Sequence, residues 1–134
     1  MNFKELCKKL EEEITESYTR GVTAEEAEKL AGQFLHAQFK VSKKLKKADL
    51  DSRTRKTGVK AIRAAVYLDI IQKSEKKPTE AQIASTIDTD AIVGSEQAAF
   101  DEAEVERDDL ERYYNIFIQA HVHFRTIAKG TFGG

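Results

Sequence analysis

The chain of 134 residues has room for one domain with a modest core. With 34% charged residues, no Trp, one Pro and 7 Gly, its composition suits long amphipathic helices with solvated faces. A lone cysteine excludes an intramolecular disulfide, and the charge-rich start without a long apolar run points to neither a signal peptide nor a membrane anchor, so a cytoplasmic protein is expected.

Phe3, Leu6, Leu10, Ile14 and Tyr18 recur at three- and four-residue spacing, which predicts an amphipathic helix over 3–19 that stops at Gly21. Cys7 sits among these apolar positions and reads as a small buried hydrophobe. Thr23-Ala-Glu-Glu26 has the pattern of a capping box and opens a second helix, running to about residue 47 with Ala27, Leu30, Phe34, Val41 and Leu45 on one face. Asp49-Leu-Asp-Ser52 reads as a break with either Asp as N-cap, followed by a third helix over 52–75 that carries Val59, Ile62, Val66 and Ile70. Pro78 ends that pattern, since the residue before a proline avoids the helical region.

Thr79-Glu-Ala-Gln82 is a second capping box, opening a stretch with Ile83 and Ile87 that Asp88-Thr-Asp90 interrupts. From about residue 95 the chain reads as helical to Lys129. Ala103, Leu110, Phe117 and Phe124 repeat every seven residues, with Tyr113, Ala120 and Ile127 three positions after members of that series. So long a seam in a chain with few other helices to cover it predicts a homo-oligomer joined through Ala103, Leu110, Tyr113, Phe117, Phe124 and Ile127. The expected fold is all-α: an elongated helical hairpin or bundle with a long coiled-coil-like C-terminal helix, one domain over 1–129 and a flexible tail over 130–134.

No catalytic set, cofactor motif or metal site stands out, so no enzyme is expected. His121 and His123 fall on different faces of a helix and His36 stands alone, whereas a zinc site needs several converging ligands. Asp88-x-Asp90 begins like a calcium loop, but Ile92 and Ala99 occupy positions that need oxygen ligands.

The charge distribution is the informative feature. The net charge is −1, yet residues 40–63 carry 10 basic and 2 acidic side chains, while residues 64–134 carry 7 basic and 13 acidic ones. Lys40, Lys43, Lys44 and Lys47 share one helical face, and Arg53, Lys56, Lys60 and Arg63 another, with Arg55 nearby and Tyr67 extending the second stripe by a turn. Cations beside an aromatic can neutralise phosphates and stack a base, as proteins that hold single strands do. Two other readings stay open. The stripes could pair with the seven acids between Asp101 and Glu111, in the same chain or a neighbour, or simply be solvated. A third use of the sequence is a helix-turn-helix unit opening at Lys77-Pro-Thr-Glu-Ala-Gln-Ile-Ala84, although the acidic run that follows would repel phosphate.

The basic middle from Lys40 to Arg63 runs into Ala65-Val-Tyr-Leu-Asp-Ile70, and a polar connection leads to the long aromatic helix spanning Glu111 to Arg125. In this layout, over roughly residues 25–128, the chain resembles the UvsY-like recombination mediators of tailed phages. Arg53-x-Arg55 matches the spacing of the Lys-x-Arg pair that this family carries in its DNA-contacting region, whereas Lys60-x-x-Arg63, at the aromatic-flanked place, does not. The resemblance implies a ring-like homo-oligomer in the host cell cytoplasm that binds single-stranded DNA. It further implies help in loading a recombinase onto strands covered by single-strand-binding protein. The expected function is thus a non-enzymatic single-stranded-DNA-binding accessory protein. The alternative is a helical adaptor or inhibitor that binds a protein partner through its acidic helix.

Overall fold

The computed structural model describes residues 2–130 and is all-α, with no strand among them. Its helices are α1 (Phe3–Arg20), α2 (Ala24–Lys73), α3 (Glu80–Thr89) and α4 (Ala91–Ala128). Residues 131–134 of the expected tail lie outside the described residues. Within the span that reads as one domain, contacts cluster into two compact units, one built from residues up to Leu45 and from Asp108 onward, the other from Lys46–Arg107. No helix among the described residues is long and apolar enough to cross a membrane.

The first unit packs α1 against the opening of α2 and the end of α4. Asn2 caps α1: its side chain accepts from the Glu5 backbone N–H at 2.9 Å while the Glu5 carboxylate accepts from the Asn2 N–H at 3.3 Å. The helix ends at Gly21, whose φ of 76° suits a residue without a Cβ. At the start of α2 the Thr23 hydroxyl accepts from Glu26 N–H at 3.1 Å, and the Glu26 carboxylate turns to Arg20, 3.2 Å away.

The core of this unit is aromatic. Phe34 of α2 stacks on Phe124 and tilts against Phe117 of α4, with ring centroids 5.6 Å apart in both pairs. Cys7 and Leu10 from α1, together with Leu30, Val41 and Leu110, are buried around them, and Ala27, Ala31, Ala37 and Ala120 fill the close approaches. Burial, with the Glu11 carboxylate adding to it, pushes the Cys7 thiol up to about 11, so the residue is the inert hydrophobe that its neighbours suggest.

This packing corrects the expected subunit seam. Phe117 and Phe124 are fully buried, Leu110 is buried with them, and Tyr113 and Ile127 are half-buried, all inside one chain. Ala103 is likewise buried within the second unit. The apolar surface that argued for association is covered by the chain's own helices. The heptad pattern correctly marks a packed face but not which helix packs on it.

The second unit holds a different correction. Asp49-Leu-Asp-Ser52 does not break the helix, and α2 runs unbroken for 50 residues. Both aspartates serve the helix interior instead of capping it: Asp49 pairs with Arg53 at 2.9 Å and Asp51 with Arg55 at 3.2 Å, each at i,i+4 with the acid N-terminal, the favourable order. Ser52 points inward and is buried. Ile83 and Ile87 of α3 and Val93 of α4 form a small core, against which Ile62, Val66 and Ile70 of α2 pack.

The Thr79 capping box forms as the sequence suggests, with Gln82 N–H donating to the Thr79 hydroxyl at 3.2 Å and Thr79 N–H donating to the Gln82 side chain at 2.9 Å. Asp90 serves two helices. Its N–H donates to the Ile87 carbonyl to close α3, and its carboxylate accepts from Ile92 and Val93 N–H at 2.9 and 3.0 Å to open α4. That double role starts α4 at Ala91, a turn before the expected position.

Candidate nucleic-acid interface

Each unit carries part of the basic segment. In the first, Lys40, Lys43 and Lys44 are exposed on α2. The Lys44 ammonium lies 4.7 Å from the centroid of the Phe3 ring, a cation–π contact that ties it to α1. Lys40 edges an open groove of about 390 Å³ between α1 and α2, where it meets Lys9 and His36 above a floor of Leu6, Leu10 and Ala37. Sequence reasoning missed Lys9 as a companion of Lys40, because they come from different helices and only packing brings them together.

In the second unit, helical geometry of about 100° per residue sorts the side chains. Arg53, Lys56, Lys60, Arg63 and Tyr67 fall within about 80° of one another around α2 and form one stripe. Lys47 and Arg55, which the sequence reading grouped with the cations, each lie about 140° round the helix from Lys60. Arg55 instead borders a polar groove of about 290 Å³ with Asp51, Glu102 and Glu106.

Within the stripe the cations divide into two kinds. Arg53 pairs with Asp49 while its side chain stays 77% exposed, and Arg63 reaches across to Asp88 of α3 at 2.9 Å. Lys56 and Lys60 are exposed and make no ion pair among the described residues. Tyr67 keeps 41% of its surface exposed at the end of the stripe. Exposed ion pairs contribute about 0–1 kcal/mol each, so Asp49 and Asp88 hold Arg53 and Arg63 in place without competing strongly with a phosphate.

The ion-pair partners of the stripe among the described residues are therefore Asp49 and Asp88, not the acids between Asp101 and Glu111. Among those acids, Asp101 accepts from the Gln97 side chain at 3.0 Å. In the first unit, Arg112 pairs with Glu11 at 2.9 Å, and that hydrogen bond raises the guanidinium above its ordinary value.

The remaining chemistry-bearing residues have structural partners. His121 Nδ1 lies 3.0 Å from the Ala31 carbonyl, while His123 stacks on Tyr18 and meets the edge of Phe124. Asp88 and Asp90 hold Arg63 and the α4 N-terminus. Among the described residues no three His, Cys, Asp or Glu side chains converge to hold a metal ion. A helix-turn-helix unit is not favoured by the geometry, since α3 joins α4 through Asp90 alone, whereas that motif uses a turn of three to four residues.

The fold and this surface define an all-α helical protein with a cationic, aromatic-edged stripe on one exposed helix. No protein family, curated protein or solved structure matches the chain in the comparisons made.

Proposed function

We propose that this chain is a non-enzymatic, single-stranded-DNA-binding accessory protein that works as a homo-oligomer in recombination or replication. The observation that carries the reading is the stripe of Arg53, Lys56, Lys60 and Arg63 with Tyr67 at its end, in which Lys56 and Lys60 have no internal ion pair. Four cations about a turn apart suit a run of phosphates, and an exposed ring beside them suits base stacking. Stacking needs an unpaired base, so the single strand is preferred over duplex.

The likeness in layout to the UvsY-like mediators supports the same reading. It adds a recombinase and single-strand-binding protein as partners and the host cytoplasm as location. The test is binding to a labelled oligonucleotide, single-stranded and duplex, at two salt concentrations. The reading expects tighter single-strand binding and a steep loss with salt. Binding to neither strand form at low salt would overturn it and favour a protein adaptor.

A further inference from the structure

The inward face of α2 in the second unit is occupied by Ser52, Val59, Ile62 and Val66. On the opposite side of the helix a second series, two leucines flanking small alanines and threonines, runs at alternating four- and three-residue steps: Leu50, Thr54, Thr57, Ala61, Ala64 and Leu68, every one exposed. Leu50 is 67% and Leu68 57% exposed, high values for leucines in a helix that has a core to face. The spacing is that of a coiled-coil seam pointed at solvent.

The chemistry of the seam fits a dry contact. The Thr54 hydroxyl donates to the Leu50 carbonyl at 2.9 Å and the Thr57 hydroxyl to the Arg53 carbonyl at 3.2 Å. Both hydroxyls are satisfied within the helix, so covering them strands no donor.

The order of side chains names the occupant. Reversed and laid against itself, the series places Leu50 against Leu68, Thr54 against Ala64 and Thr57 against Ala61. Large residues meet at the two ends and small ones meet in the middle, where backbones approach most closely. Antiparallel pairing also sets Arg53 of one copy beside Tyr67 of the other, a cation–π geometry. We infer that the outward face of α2 between Leu50 and Leu68 binds a second copy of this chain in an antiparallel, two-fold arrangement. Such a contact is isologous, each copy offering the same patch.

The strip spans about 27 Å of helix at 1.5 Å per residue. It buries on the order of 1,000 Å² in total, at the lower bound for a specific interface, which fits a weak and reversible association. Lys60 approaches its own counterpart across the two-fold axis, and this like-charge contact opposes pairing. Salt screens it, so self-association strengthens with ionic strength, the reverse of nucleic-acid binding. The pairing stands whether or not the chain binds DNA. If it does bind, the two basic stripes lie on one side of the dimer.

The experiment is register-specific cross-linking of the full chain with sedimentation velocity. Thr54→Cys combined with Ala64→Cys should give a covalent dimer under mild oxidation or with a short thiol cross-linker. Each single variant should not, because the two copies of either residue lie about 15 Å apart along the axis. Cys7 is buried and does not contribute. Wild type should shift from monomer to dimer across the micromolar range, more readily at higher salt. Ala61→Glu should abolish the shift with helicity and thermal unfolding unchanged, and Lys60→Ala should strengthen it. A monomer at every concentration, or equal cross-linking in the single and double variants, overturns the proposal.

Discussion

Replacing Lys56 and Lys60 together by alanine is the sharpest test of the basic stripe. Neither ammonium has an ion pair among the described residues, and both lie on an exposed face of α2. Alanine is at least as good a helix former as lysine, so helicity and thermal unfolding should be preserved. On single-stranded DNA each lost phosphate contact lowers the slope of log affinity against log salt by about 0.7, so the pair should lower it by about 1.4. Across a fourfold rise in salt, the double variant should lose about sevenfold less affinity than the wild type loses. Fluorescence anisotropy of a labelled oligonucleotide over a salt series reads this directly, with circular dichroism as the check on folding. An unchanged slope in a well-folded double variant would refute phosphate contact at these positions.

Tyr67→Ala should weaken single-strand binding by about 1–3 kcal/mol with the salt slope nearly unchanged, because stacking releases few ions. Arg63→Ala should behave differently from Lys60→Ala, since it also removes the ion pair with Asp88. A double-mutant cycle on thermal or urea unfolding should assign that exposed pair about 0–1 kcal/mol. Phe117→Ala opens a cavity beside Phe34 in a fully buried site and should cost about 3–5 kcal/mol in urea unfolding, with no need for an oligomer to explain the loss. Between pH 9 and 11 the Cys7 thiol stays protonated in the fold while the unfolded chain loses its proton, so stability should fall as pH rises through that window. Cys7→Ser should flatten that alkaline fall, as read by thermal melts at stepped pH.

Features written in local spacing were the ones legible in the sequence. The stop at Gly21, the Thr79 capping box and the buried faces at Phe34 and Phe117 each follow from residues within a turn or two. Asp49-Leu-Asp-Ser52 misled because a capping residue and the acid of an i,i+4 pair are the same residue type. Only Arg53 and Arg55 four positions on, taken with a buried Ser52, decide between them. The Ala103–Phe124 series identified a packed surface, but periodicity carries no address, so α1 and α2 could not be told from a second chain. For the stripe, the spacing assigns Arg53, Lys56, Lys60 and Arg63 to one face. That Arg63 is held by Asp88, 25 residues away, becomes visible only once α3 folds back on α2.

The double duty of Asp90 sets where this chain tolerates changes in length. One residue separates α3 from α4, and its backbone and side chain are both committed to helix ends. An extra residue there would part the backbone bond that closes α3 from the carboxylate cap that opens α4, and would shift Ile83 and Ile87 against Val93 in their shared core. The segment between Lys73 and Glu80 carries no helix and, apart from Pro78, is exposed along its length. Insertions, epitope tags and protease sites are therefore accommodated between residues 74 and 77, where the neighbouring helices keep their phase.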